Sequence, residues 1–473
     1  MRTDKFLINV SISIFIFLIF GVGCNGINPI IVDPNAVGVS QTGFVSRISA
    51  IYNPDDQRVW LCVPRGFTAP SSKITVSVPD ELALTFLTQP DGGFMYRFVG
   101  DLNWSATITW TDPNHVSHKD NVTVTNPGNS LDEKVIPAGL YPNRLGKFLD
   151  DVTVVNSGDD EIAPFDPNTL EFSSSRIELP QFSNPWEFSV NTSGIGLVTT
   201  LFGGVYSFDA SSGSIYPVSS DGFSDFSSPN GVAISPSDQT RAWVTNANPI
   251  SYFPTEFGPG WVSCIELDGH NGSVTNEIPT DWYNPQYVIT DGDFVYVSCS
   301  GTIDFVPPDY VATALDNGGV HVIDARTNTI VESYDLGKGG PGPMAITPSG
   351  KFLYIGSGVA GWLYKIDLEN GIVLNDASNP IVIDDYDGTF VPFIEIDKSG
   401  LLATASFNTD TLYFMDSETG EQNPFPFFGP VKLHPDDETA FYGPQDALFI
   451  NRNGRRGLVL LTSVVSSLHW LPL

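Results

Sequence analysis

Five oxygen-bearing side chains stand at matched places in this sequence, each just after a proline. Asn143, Asn230 and Gln286 follow Pro142, Pro229 and Pro285 by one residue, and Glu187 and Asp446 follow Pro185 and Pro444 by two. If those prolines open equivalent strands, the five converge on one centre, where amides and carboxylates orient a polar ligand. A second group is aromatic: Tyr252 and Phe257 within 247–260, Phe305 and Tyr310 within 300–319, set among Glu256 and Asp304. Such rings bury large area at modest entropic cost and suit a partner-gripping lip, or fold back as a lid. The six histidines form no metal-spaced set inside the repeat region. His115 and His118 stand three apart in a turn with no third ligand and read as solvated; His321 and His469 occupy matching strand positions and read as packing residues; His434 lies in a connection within reach of the same centre. No GxSxG elbow, HExxH pair, P-loop or dinucleotide fingerprint occurs, so no catalytic residue and no metal site is assigned.

The elements that position these residues come from a repeat. Prolines 142, 185, 229, 285, 343, 392 and 444 each precede an apolar run, at intervals of 43 to 58 residues. A missing N–H costs nothing at a strand start, so each proline opens the innermost strand of a unit. A second strand follows, as in WVTN (243–246), YVSC (296–299) and YIGS (354–357), and then a third ending in Asp166, Asp209, Asp268, Asp324, Asp367 or Asp416. An Asp there bonds the backbone of its own turn, a structural task and not a catalytic one. Four short antiparallel strands repeated seven times over 133–473 predict an all-β fold, a seven-bladed β-propeller. The last unit runs out after LHWLPL (468–473), while 135–143 (VIPAGLYPN) has the character of a fourth strand. The ring is expected to close by pairing the two.

With IPAGLYPN (136–143), WVTN (243–246) and VHVIDARTNTIVESYDLG (320–337), the region resembles the YVTN family of exported propeller repeat proteins. Pro164, inside a third strand, and Val-Thr-Thr (198–200), in place of the signature, depart from that pattern. The fold also resembles that of lactone-hydrolysing propellers, in which oxygen-rich sets at such positions hold Ca²⁺. That implies a second reading, a calcium-dependent lactonase-like hydrolase using the channel through Asn143, Glu187, Asn230, Gln286 and Asp446, although their order does not reproduce that pattern. Asp384, Asp385 and Asp387 before Gly388 read as an acidic turn.

Ahead of the repeats, about seven short β-rich runs in 27–127 predict a small immunoglobulin-like β-sandwich acting as a spacer, without the paired cysteines of antibody domains. The N-terminus carries Arg2 and Lys5, an apolar run from Phe6 to Gly23 and then Cys24, the layout of an export signal over 1–24. GVGC (21–24) resembles a bacterial lipobox, which implies lipidation of Cys24 and a membrane-anchored protein of the outer membrane or cell surface. Of the remaining cysteines, Cys264 and Cys299 read as buried thiols or one disulfide. The net charge of −32, from 54 acidic and 22 basic residues, repels nucleic acid. The expectation that follows is a non-enzymatic binding module at the cell surface, with a protein or glycan partner and no required cofactor.

Overall fold

The computed structural model describes seven strands between residues 49 and 123 and, apart from gaps at 149–150, 170, 203, 253–254, 307–310, 423–429, 434–440 and 453–454, residues 136–472. Cys24 and the rest of 1–48 lie outside the described residues, as do His115, Tyr310 and His434. All regular elements among the described residues are β-strands. The first seven form two antiparallel sheets. Ser49–Asn53, Arg58–Val63 and Phe94–Val99 make one; Leu84–Leu87, Lys73–Ser77, Ser105–Thr111 and Ser117–Thr123 make the other. Alternation places Ile74 and Val76 inside, fully buried with Ile108, and stacks His118 on Trp110 at 5.1 Å.

Seven further sheets of four or five strands follow. Their inner strands are Pro142–Phe148, Pro185–Val190, Pro229–Ile234, Pro285–Thr290, Pro341–Ile346, Ile394–Ile396 and Pro444–Arg452. Each touches the next, and the last touches the first, so the sheets form a closed ring and the region is a β-propeller. The seventh sheet is completed as expected: Ser467–Pro472 takes Ile136–Pro137 as its fourth strand, with Leu468 opposite Ile136. Two strand starts differ from the sequence reading. The fifth inner strand opens at Pro341 rather than Pro343, because Pro341 faces Ser357 as Pro285 faces Cys299, and the sixth opens two residues after Pro392. Pro164 does not interrupt its strand, which runs Glu161–Asp166; the outer strand of that sheet is instead split into Glu171–Phe172 and Ile177–Glu178.

Second strands are buried on both faces because each sheet packs between two neighbours. Trp243 and Cys264 of the third sheet thus pack with Val297, Cys299 and Ile323 of the fourth, each contributing about 1.5–3 kcal/mol on burial. Both cysteines are free thiols; burial pushes Cys264 up to about 12 and Cys299 higher still. His321 packs against Trp282 at 4.5 Å and His469 against Tyr442 at 5.5 Å, and burial lowers both to about 4, as packing residues require. The turn aspartates do their local work: Asp324 Oδ1 accepts from the N–H groups of Arg326 and Thr327, and Asp416 Oδ1 from Glu418 and Thr419.

Hydroxyls near the end of the second strands clip each of the first four sheets to the next. Thr245 Oγ1 donates to Gln286 O at 3.1 Å, Ser298 Oγ to Gly342 O at 2.7 Å, Thr199 Oγ1 to Asn230 O at 2.5 Å, and Ser157 Oγ to Pro185 O. The variant Val-Thr-Thr segment therefore does the same job as WVTN.

Candidate binding face at the channel mouth

In an antiparallel meander, the start of the inner strand faces the end of the second, as Pro285 faces Cys299 and Pro229 faces Asn246. The blade-opening prolines and the connections that follow the second strands therefore emerge at one end of the ring, here called the mouth. Both long connections emerge there, and each is a β-hairpin: Pro249–Tyr252 with Thr255–Phe257, and Ile303–Val306 with Val311–Ala314. The hairpins meet, with Thr255 Oγ1 donating to Asp304 Oδ1 at 3.4 Å. The second leans over the ring, since a Cβ on Gly340 would stand 3.2 Å from Ile303 Cδ1 and one on Gly388 3.2 Å from Val311 Cγ2. Ile250 in the first hairpin is 70% exposed, Phe257 is half-buried, and Tyr252 and Phe305 lie on hairpin strands.

The mouth also gathers exposed apolar groups. Among the described residues, nine of the fifteen exposed large hydrophobics sit in its connections: Leu140, Tyr141, Phe182, Phe202, Phe223, Ile250, Tyr283, Leu315 and Val465. Phe294 and Ile372 stand at the opposite end. Tyr141 and Phe182 adopt φ of 47° and 67°, unfavourable for bulky residues by about 1–3 kcal/mol each. Asp160 holds the second of these turns, its carboxylate accepting from the N–H groups of Phe182 and Asn184.

Each opening proline except that of the sixth sheet is followed by a β-bulge, a device that re-aims side chains. The predicted polar set falls in or beside these bulges, but at two different depths. Asn143, Asn230 and Gln286 sit one residue in and are absorbed locally: Asn143 Nδ2 donates to Ser157 Oγ, Asn230 is buried, and Gln286 Nε2 donates to Asn284 Oδ1 at 3.3 Å. Glu187 and Asp446 sit one step deeper, and at that depth the first and fourth sheets carry Arg144 and Tyr287, which sequence reasoning missed. Applying the offset of two residues to every proline would have found both. The third sheet has Gly231 there because a Cβ would meet Gln286 O at 2.7 Å.

Arg144, 6% exposed, reaches across the ring to Tyr287, its guanidinium 5.0 Å from the ring centroid. Burial opposes its charge, but Tyr287, Glu187 and Asp446 outweigh that and hold it protonated above its ordinary value. Asp446 accepts from Leu145 N at 2.8 Å and Ala447 N at 2.9 Å; burial raises it, with Arg144 opposing. Burial pushes Glu187 up to about 7, against Arg144 and with Asp446 adding to the rise. Arg144 Nη2 and Glu187 Oε2 are sealed from solvent with no hydrogen-bond partner in the protein. Deeper still, Glu395 of the sixth sheet, also missed, is pushed up to about 8 by burial and by Asp446. Among the described residues, no group of three or more His, Cys, Asp or Glu side chains is arranged to hold a metal ion.

No family model matches the sequence, and no curated protein matches it. Solved structures do. Hydrazine synthase of Kuenenia stuttgartiensis is 14% identical over 73% of this chain and 99% of that one, with a TM-score of 0.54. The Cps50 (Swd1) β-propeller domain of Myceliophteria thermophila is 11% identical over 72% and 99%, with a TM-score of 0.50. Virginiamycin B lyase from Staphylococcus aureus is likewise 11% identical over 72% and 99%, with a TM-score of 0.50. Identities this low show a shared propeller fold and leave activity open.

Proposed function

We propose that this chain is a non-enzymatic binding module whose ligand, a protein or a glycan, docks on the mouth face. The observation that carries this reading is the concentration of exposed apolar side chains on that face, beside two touching hairpins that a folding repeat does not need. The seven sheets are read as the seven blades of a YVTN-type propeller, with the signature hydroxyls as clips between blades. The N-terminal strand orders, first-second-fifth and fourth-third-sixth-seventh, fit an immunoglobulin-like sandwich serving as a spacer. An exported lipoprotein anchored through Cys24 at the outer membrane or cell surface completes the proposal, supported by the sequence of 1–24.

The calcium-dependent lactonase reading is weaker on one observation: the guanidinium of Arg144 stands with Glu187 and Asp446, so the carboxylates already have a cation. The experiment that tests the binding reading replaces both hairpins with the short turn of the sixth sheet and compares capture from cell-envelope extracts with the parent. Loss of specific partners with unchanged circular dichroism is expected; unchanged capture moves the site elsewhere. Mass spectrometry of the mature protein should find Cys24 diacylated and N-terminal, and any other N-terminus sinks the anchor.

A further inference from the structure

Charge is divided between the two ends of the ring. Among the described residues, Arg326, Lys351 and Lys398 stand in the connections opposite the mouth and Lys147, Arg241 and Arg456 at the strand ends beside them, interleaved with acids such as Asp293, Glu369 and Glu421. The mouth connections expose Asp159, Glu256, Asp316, Asp335, Asp385 and Asp387, against which Lys338 is the exposed base and Lys432 a half-buried one. Arg176, on the outer edge of the first sheet, is engaged by Glu161. These acids share the mouth end with the exposed apolar side chains of Leu140, Phe182, Phe202, Ile250, Leu315 and Val465. A surface that combines exposed apolar and acidic side chains is complementary to one that is apolar and basic. The net charge of −32 opposes mouth-to-mouth pairing of two copies, because two acidic faces would meet. Aliphatic Leu, Ile and Val on this face match apolar side chains and leave sugar hydroxyls without hydrogen-bond partners.

We infer that the mouth face docks a cationic, apolar polypeptide segment, in which Lys or Arg residues flank large aliphatic or aromatic ones. This rests on the reading of the mouth as the binding surface and narrows its partner to one class. The apolar side chains supply affinity, and the acids on the same face steer approach and reject acidic chains.

The test uses the whole mature protein and two synthetic peptides of about eighteen residues, one built of Lys and Leu and one of Glu and Leu in the same pattern, with association followed by surface plasmon resonance. The Lys/Leu peptide should bind and the Glu/Leu peptide should not. A variant carrying Glu256→Gln, Asp316→Asn, Asp385→Asn and Asp387→Asn should associate about tenfold more slowly at low salt, with the difference vanishing near about 0.5 M salt. The matched set at the other end, Asp293→Asn, Glu369→Gln and Glu421→Gln, should leave association unchanged. Leu140→Ser with Phe202→Ser should raise the dissociation rate at every salt concentration. Equal binding of both peptides, no binding of either, or equal effects of the two acidic sets overturns the proposal. If the hairpin replacement abolishes capture while the charge variants change nothing, the partner class falls and the binding face stands. If the hairpin replacement changes nothing, the binding face itself falls.

Discussion

Two kinds of joint hold this ring together, and they differ in what they must overcome. Between the first five sheets, neutral hydroxyls reach from one second strand to the next inner strand, as Thr245 reaches Gln286 and Ser298 reaches Gly342. Those partners are 41 and 44 residues apart, so folding one unit brings the next within reach. The joint between the seventh and first sheets connects residues about 300 apart, and at the equivalent place it has Leu461 instead of a hydroxyl. There the chain uses charge: Asp446 Oδ2 accepts from Leu145 N, and Lys147 Nζ donates to Phe449 O at 2.6 Å. Charge-assisted bonds are roughly twice as strong as neutral ones, and closing a longer loop costs more entropy. The difference teaches that Asp446 and its neighbour Arg144, which look like a site, also serve as the seam of the ring.

The comparison can be broken most severely by removing 133–139. Without the strand at Ile136–Pro137 the seventh sheet loses its outer edge, and a fall in stability on the order of several kcal/mol is expected in chemical denaturation. An unchanged midpoint would mean that the seam is held elsewhere. Next, Asp446→Ala leaves two backbone N–H groups without their acceptor and takes from the buried Arg144 one of its two carboxylates, and should cost about 3–5 kcal/mol. A smaller step is Ser298→Ala or Thr245→Val, each removing one neutral clip for about 1 kcal/mol; a loss as large as that from Asp446→Ala would erase the distinction between the joints.

Proton linkage sharpens the same contrast. Glu395 and Glu187 have folded-state values of about 8 and about 7, above their ordinary 4.5. The folded state therefore holds their protons more tightly than the unfolded chain. The stability they contribute is fully present below about 4.5 and is lost as pH rises toward 7–8. The melting temperature should fall between pH 5 and pH 8, and Glu395→Gln should flatten that slope. The smallest expected effect is none: CaCl₂ against EDTA at constant ionic strength should not shift the melting temperature, and a clear rise with calcium would revive the hydrolase reading.

The ring was legible in the sequence because each level of it repeats. Proline punctuation, the acidic third-strand endings and the fourth-strand character of VIPAGLYPN each follow from local chemistry, and Ile136 does pair with Leu468. The channel was legible only in part. Bulges after the prolines shift depth by a residue, so side chains one and two places in were grouped together although only the second position faces Arg144 and Tyr287. Arg144 escaped notice because its type did not fit an oxygen set, while Glu395 follows a proline that does not start its strand. The hairpins read as loops because strands of three or four residues carry too little alternation to register.

The two-residue strand Ile136–Pro137 has a further consequence, in the order of synthesis. It leaves the ribosome more than three hundred residues ahead of its partner Ser467–Pro472, so every nascent chain carries an open ring until that strand emerges. A premature stop within those last residues leaves the earlier sheets intact but takes away the strand to which Ile136 must pair. Synthesis of Ser467–Pro472 is therefore the step that commits the ring to its closed form, and a product that lacks it keeps an uncovered strand edge.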